Sequence, residues 1–338
     1  MRNILVVTVN WLGDVVFSTP VYRALKDAYP SSRIVVLAVP RVKEVLELCP
    51  DVDEVIVYDE KRSFRGWLGV VTAGLSLRRR NFDVVFILRR SLARSCLVWF
   101  AGIPVRVGFA EKGWEKILTH VVDDKGCEEI HRRDVYLRVV ESFGIKVKDR
   151  SCYLQVDRSI CERVAEKLRG KGLSGQERIV VLNTGGNWPL KQWIPERFAQ
   201  LAARLTRELG LVVVLTGAKS DRERVHFIGE SSGVGPVVLA GETDLKELAG
   251  LFKRSCMVVS ADSGPLHVAS AVGANVVALF GPTRPEITGP CGQGRIKVIQ
   301  KDTGCNKAAC YYLECPDNQC MKVITVDDVF QIFKVLKD

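Results

Sequence analysis

ILVVTVNWLGDVV, residues 4 to 16, is a nearly unbroken apolar run that ends at Asn10 and passes through Gly13 and Asp14 toward Ser18-Thr19-Pro20. Unbroken apolarity, as opposed to alternation, marks a strand covered on both faces, which is the setting of a parallel sheet. RIVVLAV (33–39), EVIVY (54–58), DVVFIL (83–88) and the shorter VRVGF (105–109) repeat the pattern. Helical stretches separate them, such as TPVYRALKDAYP (19–30), with Pro20 at a helix start and Pro30 just past its end. The first half is therefore expected to be an α/β layer structure.

The same grammar restarts after the polar, glycine-containing stretch LRGKGLSGQER (168–178). RIVVLN (178–183), a helix over 195–209, LVVVLTG (211–217), PVVLAG (236–241), CMVVSAD (256–262) and NVVALFG (275–281) follow. Two Rossmann-like halves joined near 155–175 are the simplest architecture, and we place the domains at 1–170 and 171–338. In TVDDVFQIFKVLKD (325–338), Val326, Val329, Ile332, Phe333 and Leu336 fall at helical spacing and predict a closing helix that packs on the domains.

The 338 residues suffice for two domains with separate cores, and 47% hydrophobic with 26% charged residues reads as soluble and globular. No apolar run approaches the ~20 residues of a membrane span, and the apolar start lacks a signal peptide's cleavage site, so a cytoplasmic location is expected. A net charge of +10 favours an anionic partner, and Arg78–Arg80, Arg89-Arg90, Arg94 and Arg132-Arg133 place much of it in the first half. Eleven cysteines in a long chain without an export signal are expected to be free thiols. Cys305, Cys310, Cys315 and Cys320 are spaced by five, which only a loop gathers on one side; a zinc site lies at the edge of ordinary ligand spacing, and unliganded thiols are the expectation.

Ligands of open α/β sheets collect at the carboxyl ends of strands, where helix N-termini present free N–H groups. NWLGDVV occupies such a place; Gly13 suits a tight turn, and Asp14 either accepts a proton or caps the helix, capping being the ordinary role. No G-x-G-x-x-G dinucleotide fingerprint is present. SADSGPLHVASAVG (260–273) offers a turn at Asp262-Ser263-Gly264-Pro265 with His267 in the first helical turn, a phosphate site strengthened by the helix dipole. ALFGPTRPE (278–286) adds a second glycine-proline turn, and NTGGNWPLKQW (183–193) supplies Thr184, Gly185 and Gly186 as donors with Lys191 as a point charge suited to a diphosphate.

Taken together these stretches resemble glycosyltransferase family 9, the ADP-heptose:lipopolysaccharide heptosyltransferases, over nearly the whole chain. NWLGDVVFSTPVYRALKDAYP is similar to the family's opening GD-x-x-x-x-TP segment, AGIPVRVGF (101–109) to its AGIP-x-R-x-G motif, and HRRDVYL (131–137) to its His-x-x-x-x-Tyr element. NTGGNWPLKQW resembles the K-R-W-P segment with Gln192 and Ile194 as departures, DSGPLHVASAVG matches the D-[ST]-G-x-x-H signature, and CPDNQCM (315–321) looks like the ending of the heptosyltransferase II branch. The resemblance implies a GT-B fold of two facing Rossmann-like domains, the first for the acceptor and the second for the ADP-sugar. It implies an inverting heptosyl transfer from ADP-heptose to a Kdo or heptose acceptor of the lipopolysaccharide inner core, with Asp14 as catalytic base.

Donor contacts are implied for Thr184, Gly185, Lys191, Asp221, Asp262, Ser263, Gly264 and His267, with Glu223 as an alternative to Asp221 at the ribose. Arg62, Arg65, Arg89 and Arg94 lie in the half assigned to a lipid A–Kdo acceptor at the inner-membrane surface, where Trp67 and Leu68 suit the interface. No D-x-D pair accompanies these elements, so neither metal nor cofactor is expected. Family motifs fix the chemistry better than the sugar, leaving another nucleotide sugar or acceptor as an alternative. A non-catalytic nucleotide- or nucleic-acid-binding protein is the other reading, but no recognition-helix motif or interleaving of aromatic with basic residues supports nucleic acid.

Overall fold

The apolar run at the amino end becomes the central strand of a parallel sheet, because residues buried on both faces have neighbours on either side. The computed structural model describes residues 1–60, 66–305, 310, 315 and 317–335. Its contacts divide the chain into Met1–Gln155 and Val156–Asp338. The first unit runs β1 (Asn3–Val7), α1 (Leu12–Phe17), α2 (Thr19–Ala28), β2 (Arg33–Ala38), α3 (Lys43–Leu46), β3 (Glu54–Val57), α4 (Gly66–Arg78), β4 (Val84–Ile87), α5 (Leu92–Phe100), β5 (Val105–Gly108), β6 (His120–Val121) and α6 (Arg132–Glu141). The second runs α7 (Arg158–Gly170), β7 (Ile179–Asn183), α8 (Pro195–Leu209), β8 (Val212–Thr216), α9 (Arg222–Ser232), β9 (Val237–Val238), α10 (Leu245–Arg254), β10 (Met257–Ala261), α11 (Gly264–Ala271), β11 (Val276–Leu279), α12 (Pro285–Thr288), β12 (Ile296–Ile299), α13 (Gln319–Lys322) and α14 (Val326–Val335). Helix α7, placed before the boundary at 170 by the sequence, packs on α10 and so falls in the second unit.

The sheet orders are β3-β2-β1-β4-β5-β6 and β12-β11-β10-β7-β8-β9, the same doubly wound order read from opposite edges. Pairing is parallel in both, with Leu5 beside Val35 and Val85, and Val181 beside Val258 and Val214. The strand order reverses between β1 and β4 and between β7 and β10, the two places where such a sheet opens a crevice at its carboxyl edge. Edge strands β6 and β12 were not apparent in the sequence. β6 spans two exposed residues and β12 carries exposed Lys297 and Val298, so neither has the apolar signal of a central strand.

Amphipathic α8 buries Phe198, Leu201 and Leu205, and α14 closes the same core with Val329 and Phe330 fully buried and Phe333 nearly so. Phe330 lies outside the stripe read from spacing, whereas Val326 and Ile332 only flank the core; Leu336 lies outside the described residues.

In the first unit α4 and α5 touch through Gly74, where a Cβ would stand 2.6 Å from the Leu97 carbonyl oxygen and 2.7 Å from Phe100 Cβ. Alanine is favoured over glycine in a helix by about 1 kcal/mol, yet here it would push two helices apart. Gly74→Ala is expected to destabilise the fold by roughly 1–3 kcal/mol, the cost of overpacking. Guanidinium unfolding measures it; a midpoint at or above that of the wild type would contradict the close helix contact.

Candidate active site

Asp14 is placed by the exit from β1. The strand ends at Val7, the chain crosses Asn10, and α1 starts at Leu12 with Trp11 as an N-cap whose side chain makes no capping bond. Asp14 is therefore in the first helical turn and is not the cap. Gly13 lies within the helix and is absent from the positive-φ positions, so the tight turn expected of it does not form. The Asp14 carboxylate accepts a 2.6 Å hydrogen bond at Oδ1 from the Tyr136 hydroxyl on α6. Burial first, and then the Asp14 charge, push the Tyr136 phenol well above its ordinary range, so the phenol keeps its proton and donates. His131, the N-cap of α6, accepts from the Arg133 N–H, and its ring meets Phe17 of α1 edge-on at 5.0 Å. The resembling GD and His-x-x-x-x-Tyr segments, distant in sequence, thus meet at the reversal point of the first sheet.

The second sheet assembles a denser polar cluster at its own reversal point. Asn183 at the end of β7 donates to the Ser260 hydroxyl of β10 at 3.0 Å and accepts from Thr216 of β8 at 3.3 Å. This buried ladder fixes the strand ends from which the loops depart. Lys191 Nζ stands 2.6 Å from Asp262 Oδ2 and 5.1 Å from the centre of the Trp188 ring. Asp262 also accepts from the Thr283 hydroxyl at 2.6 Å, and its Oδ1 lies 3.4 Å from His267 Nε2. Burial pushes the Asp262 carboxyl up, but the His267 hydrogen bond and the charges of His267 and Lys191 outweigh it and hold the group far below the usual carboxylate range. Ser263 is the N-cap of α11 and makes no side-chain cap; its hydroxyl instead meets that of Ser260 at 3.2 Å. Ser263 and Gly264, expected as donor contacts, thus lie at the amino end of α11.

Thr184 is buried, with its N–H bonded to the Thr216 carbonyl at 3.1 Å and its hydroxyl directed there at 3.4 Å. Asp221 Oδ2 accepts from the Ala218 N–H at 2.8 Å and lies against Gly185, where a Cβ would stand 2.5 Å from it. Asp221 therefore sits beside the Thr184–Gly186 loop, while the alternative Glu223 is exposed. Sequence reading missed Arg224. Its guanidinium donates to the Thr184 carbonyl and to Gln192 Oε1, and Gln192 Nε2 in turn donates to the Gly186 carbonyl at 2.6 Å. Gln192, noted only as a departure from K-R-W-P, is a tie of this loop. No local signal marks Arg224, one of several charged residues at the start of α9.

The four arginines expected at the acceptor do not form a described cluster. Arg62 and Arg65 lie outside the described residues, and Arg89 is exposed. Arg94 is only 2% exposed; its guanidinium pairs with Glu60 and lies 4.7 Å from the centre of the Tyr58 ring. It faces inward because α5 turns Arg94 through Val98 toward the interior. None of the eleven cysteines is joined in a disulfide, and no group of histidine, cysteine and carboxylate side chains among the described residues is arranged to hold a metal ion. No helix among them is long and apolar enough to cross a membrane.

Comparison with known proteins places these observations. The profile of glycosyltransferase family 9 (heptosyltransferase) matches residues 71–315. The chain is 29% identical over 317 residues to lipopolysaccharide heptosyltransferase 2 of Salmonella typhimurium, covering 90% of each. Among solved structures it is similar to a family 9 glycosyltransferase of Veillonella parvula, with a TM-score of 0.87, 27% identity and coverage of 99% of this chain and 97% of that one. It is also similar to the ADP-heptose lipopolysaccharide heptosyltransferase II of E. coli, with a TM-score of 0.81, 26% identity and coverage of 99% and 98%. Two Rossmann-like units in succession are the GT-B architecture that the sequence resemblance implied.

Proposed function

The chain belongs to glycosyltransferase family 9 and is a glycosyltransferase, and on that premise we propose that it moves heptose from ADP-heptose to an acceptor hydroxyl of the lipopolysaccharide inner core. The cluster of Lys191, Asp262, His267 and Thr283 beside the free amides of α11 supports this most: a cation, a fixed carboxylate and helix N–H groups suit a sugar diphosphate. In this reading the acceptor oxygen attacks the anomeric carbon opposite the departing ADP, its proton passes to Asp14, and the configuration inverts. A carboxylate is a weak base toward an alcohol, so proton transfer accompanies attack. The bond to the diphosphate breaks with its electron pair on ADP, where Lys191 and the N–H groups of Ser263 and Gly264 meet the growing charge. Asp262 orients sugar hydroxyls, and Asp221 with Thr184 and Gly185 borders the nucleoside.

Incubation with a panel of nucleotide sugars, following nucleoside diphosphate release with and without lipid A–Kdo, tests the reading. ADP release from ADP-heptose that depends on the acceptor is expected. Faster turnover of another nucleotide sugar would replace the donor, and a heptosylated core acceptor used in preference to lipid A–Kdo would replace the acceptor.

Such an acceptor lies in a membrane surface, and we place the enzyme at the cytoplasmic face of that membrane. The support is α4, whose Trp67, Leu68 and Leu75 are 58%, 82% and 48% exposed and whose last turn leads into exposed Arg78, Arg79 and Arg80. Apolar side chains on a helix bordered by cations suit an anionic bilayer. Replacing Trp67, Leu68 and Leu75 together by Ser is expected to abolish sedimentation with phosphatidylglycerol vesicles while leaving the KM for ADP-heptose unchanged. Equal retention of variant and wild type would remove α4 from membrane contact.

A further inference from the structure

A general base works on a substrate only if its carboxylate points in one direction and one oxygen stays open. Asp14 meets both conditions. Its Oδ1 is held by the Tyr136 hydroxyl at 2.6 Å, and no described residue hydrogen-bonds Oδ2. Tyr136 cannot drift, being 7% exposed and fixed on α6, which packs on α1. The edge contact of Phe17 with His131 ties the two helices together a second time.

We propose that Tyr136 is the positioning residue of the base: through its hydroxyl it fixes the Asp14 carboxylate with Oδ2 open to the acceptor. The proposal rests on the assignment of Asp14 as base. Tyr136 touches neither sugar nor acceptor in this scheme; it acts through Asp14. Fixing the rotamer removes the need to order the carboxylate during attack.

The elements packed on α1 carry Arg132 and Asp134 on α6, Lys43 and Glu44 on α3, Lys26 on α2 and Arg41 in the turn after β2, and the charge of Arg89 reaches Tyr136 from the loop after β4. None of them makes an ion pair with Asp14. Tyr136 is therefore the group that orients the carboxylate.

Tyr136→Phe keeps the ring and its packing and removes only the donor. It is expected to lower kcat about tenfold, the scale of a hydrogen bond to a charged group, with the KM for ADP-heptose unchanged. Fluorotyrosine at 136, which keeps a nearly isosteric hydroxyl donor, should restore most of the kcat lost in Tyr136→Phe, a recovery that ring packing alone does not produce. In an Asp14→Asn background Tyr136→Phe should have no further effect on kcat, because the two residues act as one unit. If Asp14→Asn collapses turnover while Tyr136→Phe leaves kcat at the wild-type value, the positioning role is wrong and the base assignment stands. If Asp14→Asn itself turns over normally, the base assignment has failed and the role of Tyr136 falls with it. A lower melting temperature in Tyr136→Phe with kcat unchanged would make Tyr136 a packing residue only and overturn the proposal.

Discussion

Asp14→Asn turns over on the order of 10² to 10⁴ times more slowly than the wild type, the range of general acid–base catalysis, and binds ADP-heptose with unchanged affinity. The substitution is close to isosteric. The amide oxygen that replaces the carboxylate can still accept the Tyr136 hydrogen bond, so the α1–α6 contact seen at 2.6 Å survives and the fold is not in question. What is lost is a group able to take a proton. Donor affinity is expected to be spared because the Lys191–Asp262 cluster proposed for the diphosphate belongs to the second sheet, built on β7 and β10, whereas Asp14 follows β1. Calorimetric titration with ADP and steady-state kinetics separate the two quantities, and a wild-type kcat in the variant would end Asp14's candidacy as base.

The second large effect is expected at Lys191. Lys191→Ala weakens ADP-heptose binding about tenfold and lowers kcat by a further factor of roughly 10², because the charge it faces grows as the bond to the diphosphate breaks. Lys191 pairs with Asp262 at 2.6 Å, so its removal also strips a partner from a carboxylate that is 4% exposed. Asp262 keeps Thr283 and His267, which is why a folded but crippled enzyme is expected, not an unfolded one. The pH dependence of stability follows from the same pair. A carboxyl held below its unfolded value stabilises the fold above about pH 4, and that stabilisation fades as pH falls toward the depressed value of Asp262. Lys191→Ala depresses Asp262 less, so the difference in unfolding free energy between pH 7 and pH 3 is expected to be smaller than in the wild type. Unchanged affinity and unchanged kcat would reduce Lys191 to a structural partner of Asp262.

Much of the candidate site was legible because it is local. Asp262, Ser263, Gly264 and His267 lie within a single strand-turn-helix, so their spacing along the chain is also their arrangement in space. Lys191 was legible as a charge in a glycine-rich loop, but its partner was not: Asp262 follows another strand, and only the adjacency of β7 and β10 joins them. Arg224 had no signal at all, since its role depends on where α9 sets it relative to a loop that precedes α8.

Sequence alone determined the α/β class and the doubling of the chain into two parallel-sheet units. Those properties follow from unbroken apolar runs, whose burial on both faces admits few alternatives. Edge strands β6 and β12 escaped because exposed residues leave their composition close to that of a loop, whereas the more apolar edges β3 and β9 were legible. Tertiary structure decided everything that depends on approach between distant segments. The inward turn of Arg94 onto Tyr58 and Glu60, the helix contact at Gly74 and the pairing of Tyr136 with Asp14 are of this kind. In each, the residue type permits two environments of similar local cost, a solvated cation or a buried one, a weak helix former or a packing gap, a core phenol or a hydrogen-bond donor. Local preference differs between such alternatives by about 1 kcal/mol, whereas burial, overpacking and loss of a charged hydrogen bond cost more, so the choice is made by the neighbours the fold supplies.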